Sequence, residues 1–264
     1  MTDPRIDVPG RFGRAGARHV LLVLAAFALF AWANQRAQVS PGALVLGLPQ
    51  LARLLGEMLP PDLSRIGAVS SALLETLLMA VAGCAYGVLL GFVLAVFATR
   101  RSGGPRIAYA AARALIAFFR SVPDLIWALL FVVAVGLGTF SGTLAICIDT
   151  IGFCGRFFAE AMEEVDPGPQ EALTAIGATR AGILFSAVVP AALPAFVSVA
   201  LFSLEKAVRS SVVLGLVGAG GIGIELKVAM DMFQFNQATT IILLVFAMVV
   251  LVEQLGARIR ALQL

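Results

Sequence analysis

Charge, histidine and cysteine are all scarce in this sequence of 264 residues: 13% are charged, one is histidine and three are cysteine. The single His19 cannot build a His-based metal or catalytic site, and no nucleophile–base pair stands out. Cysteines 84, 147 and 154 lie in apolar runs, so they are expected to be small core residues, with no disulfide and no metal site. No Walker A pattern (G-x-x-x-x-G-K-S/T) is present, which excludes nucleotide hydrolysis by this chain.

Apolar residues are abundant instead. They make up 60% of the chain and the mean hydropathy is +0.96, whereas soluble domains carry about 45–50% apolar and about 25% charged residues. The composition therefore predicts an all-α integral membrane protein in contact with membrane lipid. The net charge of +3 is small and the basic residues fall mainly in loops, so nucleic acid is not an expected partner.

Six apolar segments predict six transmembrane helices in a membrane domain over residues 20–264, after a polar tail over residues 1–19. Between them, residues 39–66 predict an amphipathic helix on the outer surface or a covering loop. Residues 107–120 predict a helix lying at the inner interface. The predicted spans are residues 20–33, 68–98, 125–138, 143–162, 191–217 and 239–260.

The distribution of basic residues orients these spans. The six-span arrangement assigns 13 of the 19 Lys and Arg residues to the inner side, four to the outer side and two to a span. This bias predicts that both termini lie in the cytoplasm. The first apolar segment also fits a signal peptide that ends at Ala31-Trp32-Ala33, although an uncleaved span is the preferred interpretation.

Residues 160–190 form the longest polar interruption in the C-terminal two-thirds of the chain. The segment begins acidic, turns at Asp166-Pro167-Gly168-Pro169, and restarts as QEALTAIGAT, because prolines and glycine interrupt a helix. Ala172, Leu173 and Ile176 then share one apolar face at helical spacing. The sequence thus predicts a short amphipathic helix presented on the cytoplasmic side; an ordinary linker between spans is the alternative.

Glu171-Ala172-Leu173, followed by Gly177 and Pro190, resembles the EAA loop of bacterial ABC importer permeases. The pattern departs at Leu173, Ala187 and Val189, each of which keeps the apolar character. Three wider stretches resemble the phosphonate-type permeases of the PhnE family, which have a type I, MetI-like transmembrane fold. They are FRSVPDLIWALLFVVAVGLG, FAEAMEEVDPGPQEALTAIGAT and LEKAVRSSVVLGLVGAGGIGIEL.

This resemblance implies a location in the bacterial inner membrane, partners and a transported solute. It implies a permease homodimer, two cytoplasmic ATPase subunits that bind ATP and magnesium, and a periplasmic substrate-binding protein that delivers a small phosphorus oxyanion. The EAA loop would then be the coupling helix that docks on the ATPase. In that helix Glu171 would anchor the positive N-terminal end, and Gly177 would allow close approach of the ATPase surface.

Polar residues within the spans suggest a path or gate for the solute. Glu205 and Arg209 are four residues apart, so they share one helix face and can pair. Either Arg209, tempered by Glu205, faces the path, or the two form a structural pair that holds the gate helix. Asp149 lies inside another span, where an ionisable residue is a functional candidate; a structural carboxylate hydrogen-bonded to Thr150 or to a neighbouring helix is the alternative. The candidates for the path or gate are Ser203, Glu205, Arg209, Ser210 and Ser211.

Glycines mark two further features. Gly83, Gly87 and Gly91 form a stripe that predicts close packing on another helix. Gly218, Gly220, Gly221 and Gly223 match a dinucleotide fingerprint by letter. They follow a membrane helix, however, so they predict a buried non-helical break instead of a nucleotide site.

Other classes of transporter stay open on the sequence alone. A permease for methionine or another small solute shares the EAA loop. A gradient-driven secondary transporter would be favoured by inverted repeats, and none is visible. An integral membrane enzyme lacks support from any metal spacing or nucleophile–base pair.

Overall fold

A computed structural model describes residues 14–38 and 40–262, and within these ranges the chain forms helices and no strand. The chain divides into two compact units, Met1–Gly56 and Glu57–Leu264. Most of the predicted tail, residues 1–13, lies outside the described ranges. The first unit holds α1 (Arg14–Arg36) and nearly all of α2 (Pro41–Glu57), so the region predicted as an outer helix or covering loop is largely helical.

The second unit contains the remaining helices. These helices are α3 (Ile66–Ala98), α4 (Arg106–Ser121), α5 (Asp124–Val135), α6 (Thr139–Glu164), α7 (Gly168–Ala175), α8 (Arg180–Ile183), α9 (Val189–Leu216), α10 (Ile222–Asp231) and α11 (Phe235–Ala261). A 3-10 turn at Arg100–Ser102 joins α3 to α4, and a π-helical turn at Leu184–Val188 joins α8 to α9.

Within residues 14–38 and 40–262, five stretches are long and apolar enough to cross a membrane: Arg18–Arg36, α3, α6, Arg180–Leu216 and α11. The bent pair α4 and α5 passes the same test as a unit, which brings the total to six. The predicted all-helical, six-span fold is therefore confirmed. The third crossing is built differently from the prediction, because α5 has 12 residues and reaches only about 18 Å of the roughly 30 Å hydrocarbon core.

The helix α4 is the main correction to the predicted arrangement. It was expected to lie at the inner interface, but it packs lengthwise on α3 and α6 and turns by 90° into α5. Halfway along it, Arg113 Nε donates to the carbonyl oxygen of Ala98 at 2.8 Å. Three residues later Ile116 is 3% exposed and lies in a core with Phe158 and Met162. Burial of this apolar face accounts for its position in the bundle.

The helices α3 and α6 pack closely along the predicted glycine stripe, which is confirmed. A Cβ added to Gly83 would lie 2.8 Å from the carbonyl oxygen of Thr143, and one added to Gly87 would overlap the side chain of Thr150. At Gly91 the nearest atoms would be 3.2 Å away. Small residues thus let the two backbones approach each other, and this seam fixes α6, which leads directly into α7.

Candidate functional site: the coupling segment and the charges within the spans

The coupling segment, residues 165–180, connects the end of α6 to α8. The helix α7 within it begins at Gly168, two residues earlier than the predicted restart at Gln170. Pro169 lies in the first turn, where a missing backbone N–H costs nothing. The carboxylate of Asp166 accepts a hydrogen bond from the Gly168 backbone N–H at 3.0 Å and so closes the turn before the helix. The predicted break is therefore shorter than four residues.

Gly177 ends α7 with a left-handed backbone. Its φ is +81°. The Gly177 N–H donates to the carbonyl oxygen of Thr174 at 3.0 Å, and the Ala178 N–H donates to the carbonyl oxygen of Leu173 at 3.0 Å. These two bonds are the Schellman pattern that satisfies the last carbonyl groups of a helix. No atom of the chain lies within 4 Å of a Cβ placed on Gly177. Within this chain, the requirement for glycine therefore comes from the backbone angle.

The surface of α7 is open to a partner. None of its residues is buried, and Ile176, which follows it, is 79% exposed. Glu171 lies in the first turn, where a carboxylate is favourable beside the positive end of the helix dipole. Within the described chain the Glu171 carboxylate forms no ion pair. The helix thus presents an acidic start and an exposed apolar end, as expected of a docking element.

Arg101 holds the coupling segment against the loop between α3 and α4. Its guanidinium donates to the side-chain oxygen of Gln170 at 2.8 Å and to the backbone carbonyl oxygens of Glu163 and Val165 at 2.9 and 3.0 Å. The two carbonyls belong to the end of α6, where intrahelical donors run out. One side chain therefore joins α3, α6 and α7, a connection that sequence reasoning missed because these positions are 62–69 residues apart.

A second set of contacts strengthens this junction. The carboxylate of Glu163 accepts from the Arg100 backbone N–H at 3.0 Å and from the Arg113 guanidinium at 2.9 Å. On the exit side, Arg180 Nη1 donates to the carbonyl oxygen of Gly103 at 2.8 Å. Both ends of the coupling segment are thus tied to the same loop. A displacement of α7 would pull on α3 and α4 through defined hydrogen bonds.

Pro190, the last residue of the EAA-like pattern, lies at the start of α9. Its ring is tolerated there because Pro190 follows the π-helical turn, and α9 also accommodates Pro194 in its interior. The structure places Pro190 in the base of a long span.

The expected pair between Glu205 and Arg209 does not form. Glu205 is 8% exposed and accepts a hydrogen bond from Arg260 of α11 at 2.8 Å, so it faces away from Arg209. A Cβ on Gly256 would overlap the Glu205 carboxylate, so the glycine makes room for this contact. Arg209 is exposed and forms no ion pair within the described residues. Tertiary packing therefore overrides the four-residue spacing.

Asp149 instead pairs with Lys206, across the interface between α6 and α9. Lys206 Nζ lies 2.8 Å from both carboxylate oxygens, and it also lies 5.4 Å from the centre of the Phe153 ring. The Asp149 side chain is 22% exposed and the Lys206 side chain is 36% exposed. The functional interest of Asp149 was visible in the sequence, but its partner was not, since the two residues are 57 positions apart.

The three candidate serines fall into different environments. Ser203 and Ser211 are buried: Ser203 faces Thr150 across α6, and Ser211 donates to the Val208 carbonyl oxygen at 2.8 Å. Ser210 is half-buried beside the exposed Arg209. The five residues predicted as a path or gate are thus not brought to one surface. Arg209 and Ser210 are accessible, whereas Ser203, Glu205 and Ser211 are packed inside the chain.

The glycine-rich break between α9 and α10 is non-helical and largely buried, as predicted. Gly221 has φ +73°, and a Cβ at that position would overlap the hydroxyl of Thr76, so the position requires glycine. The same hydroxyl accepts a hydrogen bond from the Ile222 N–H at 2.7 Å, which ties the break to α3. The four glycines, 218, 220, 221 and 223, therefore serve chain packing, and Gly223 itself lies inside α10.

Sequence comparison finds a family and several relatives. The family model described as "Binding-protein-dependent transport system inner membrane component" matches residues 87–260. The phosphite transport system permease protein PtxC of Stutzerimonas stutzeri is 42% identical over 217 residues, which are 82% of this chain and 79% of that protein. The phosphate-import permease protein PhnE of Mycolicibacterium smegmatis is 36% identical over 268 residues, 98% of this chain and 48% of that protein.

Structure comparison gives the same picture. An inward-facing structure of the MetNI methionine ABC transporter is similar with a TM-score of 0.67 and 27% sequence identity, over 77% of this chain and 99% of that chain. The region matched by the family model includes both the coupling segment and the charged pairs between α6, α9 and α11.

Proposed function

Since the chain belongs to the binding-protein-dependent inner-membrane transport components, we propose that it is the permease subunit of an ATP-driven importer for phosphorus oxyanions. The coupling segment is the observation that supports this proposal most directly. It holds an exposed eight-residue helix, is hydrogen-bonded at both ends to the bundle, and lies inside the region that matches the family. Within that assembly the chain conducts the solute, whereas ATP and magnesium are bound by a partner ATPase. It lies in the inner membrane with both termini in the cytoplasm.

The substrate class is supported by the relatives. The permease proteins PtxC and HtxC of Stutzerimonas stutzeri are described as phosphite transport system proteins, and HtxC is 38% identical over 92% of this chain. We infer that this chain carries phosphite, a phosphonate or a closely related anion. A methionine solute is the alternative. The methionine import permease MetP of Bacillus subtilis is 32% identical, but over only 42% of this chain.

Alternating access is the proposed mechanism. Closure of two ATPase subunits around ATP would move α7, and the hydrogen bonds of Arg101 would carry that movement to the ends of α3 and α6. The spans would then open alternately to the two sides of the membrane. A periplasmic binding protein would deliver the solute to the outer ends of a permease homodimer.

Purification in mild detergent from native membranes, followed by identification of co-purifying proteins, tests this proposal. We expect an ATPase with a Walker A motif in equal amount. The complex, reconstituted with its binding protein, should show ATP hydrolysis and uptake stimulated by phosphite or methylphosphonate and not by methionine. Stimulation by methionine alone would show that the substrate is methionine and not a phosphorus oxyanion. Uptake driven by an ion gradient without any ATPase would overturn the importer assignment.

A further inference from the structure

Five ionisable side chains lie on α6 and α9, which pack against each other. We call Asp149, Arg156, Glu160, Lys206 and Arg209 the polar face. The three α6 positions are seven and four residues apart, so they share one side of that helix. Lys206 joins the two helices through Asp149 at 2.8 Å, and Arg156 pairs with Glu160 at 2.7 Å. With three cations against two carboxylates, the face carries one uncompensated positive charge, on Arg209.

The polar face is accessible in the single chain. The paired side chains are 22% to 46% exposed, and Arg209 is also exposed. The helices that carry them are both candidate membrane spans. By contrast, the exposed side of α11 is apolar, with Leu243, Phe246 and Leu251 all more than half exposed, as suits contact with lipid.

Lipid cannot cover the polar face. A charged side chain at the centre of a membrane helix costs about 2.5–3.5 kcal/mol even on insertion scales, so such residues face protein or a water-filled cavity. Two pairs reduce that cost for four of the residues, but Arg209 forms no ion pair within the described chain. Its expected partner, Glu205, is committed to Arg260. The face therefore needs a cover that the single chain does not supply.

A second copy of the chain is the occupant that fits. Most homo-oligomers are twofold symmetric, and a twofold axis brings the same patch of both copies together. The two polar faces would then meet, and each would bring an unpaired Arg209. Dry burial of two like charges would be strongly unfavourable, so water or an anion must lie between them. The site is consequently incomplete without the partner copy.

We propose that Arg209 is the anion-selecting contact of the translocation path, on a polar face completed by a second copy of this chain. This inference rests on the proposed function and names the residue that would meet the oxyanion. Lys206, three residues before Arg209 on α9, is neutralised by Asp149, which leaves Arg209 as the residue that attracts an anion. A single guanidinium from each copy gives a weak contact, which allows the solute to leave again.

Uptake by the reconstituted complex tests the role of Arg209. The variants are Arg209→Gln, Arg209→Lys, which keeps the charge, and Arg258→Gln, a control that removes an exposed arginine of α11 without an ion pair in the described chain. Loss of a hydrogen bond to a charged group predicts that Arg209→Gln lowers phosphite uptake about tenfold or more. Arg209→Lys should retain more uptake than Arg209→Gln, and the control should transport normally. Unchanged uptake in Arg209→Gln would overturn the assignment.

Cross-linking tests the second copy without any substrate. The three native cysteines are buried, so the unsubstituted protein serves as the blank. Arg209→Cys should form a dimer with a short bifunctional thiol reagent, whereas Phe246→Cys on the apolar side of α11 should not. Cross-linking at 246 and none at 209 would refute the shared face. A complex without ATP-driven uptake in the unsubstituted protein would overturn the proposed function, while the cross-linking result would still stand by itself.

Discussion

The end of α7 gives the sharpest prediction, through the substitution Gly177→Ala. At φ +81° an L-residue pays about 1–2 kcal/mol for the left-handed conformation. No atom lies within 4 Å of the added Cβ, so no steric cost within the chain adds to this figure. The helix end is exposed, so under the proposed function the cost acts on the conformation that would bind the ATPase. We expect the affinity of the ATPase subunit for the permease to fall about 5- to 30-fold.

The assay is titration of labelled ATPase subunit onto permease in lipid nanodiscs, together with ATP-driven uptake. Gly177→Asn should lose less affinity, because asparagine tolerates the left-handed region better than alanine does. Gly168→Ala is the matched control at the other end of α7, where the added Cβ has ordinary contacts at 3.6 Å. Gly177→Arg adds a long side chain to the same strain, and it should uncouple ATP hydrolysis from transport.

Two outcomes would refute this reasoning. Equal losses for Gly177→Ala and Gly177→Asn would show that the backbone angle is not what matters and that the ATPase contacts the glycine surface itself. No loss in any of the three Gly177 variants would remove α7 from the ATPase interface altogether.

Three further predictions concern the packing around these sites. Arg101→Gln removes the three hydrogen bonds to the end of α6 and to the coupling segment, so ATPase binding should persist while uptake per ATP hydrolysed falls severalfold. Arg106→Gln, at the start of α4, should leave that ratio unchanged. Gly87→Val should prevent assembly of stable protein, seen as loss of a monodisperse peak in detergent, because the side chain would occupy the place of a neighbouring helix. Hydrogen bonds from Ser64 lower the pKa of Asp62 below its ordinary value of 3.8. The stability contributed by the carboxylate is therefore present above pH 3.8 and is lost as the pH falls through the lower pKa of the folded state. The difference in Tm between the wild type and Asp62→Asn should be constant from pH 7 to about pH 5 and should shrink below about pH 4.

Local sequence determined much of the coupling segment and of the span count. Long apolar runs must be helical in a membrane, since every backbone polar group needs a partner there. Gly177 and the prolines before α7 act within one turn of the chain, so their effect on the helix ends was predictable to within two residues. The glycine stripe of α3 likewise predicted close packing, although not the identity of α6 as its partner.

Tertiary structure alone decided which charges meet. The spacing of Glu205 and Arg209 favoured a local pair, yet Glu205 binds Arg260, 55 residues away, and Asp149 binds Lys206, 57 residues away. Helix periodicity gives the direction of a side chain around its own axis but not which helix lies on that side. The position of α4 depended on the same unknown. Amino-acid order thus determined the helices, their ends and the unequal distribution of basic residues between the two sides of the membrane. The packing of helices against one another determined the ion-pair partners and left Arg209 exposed.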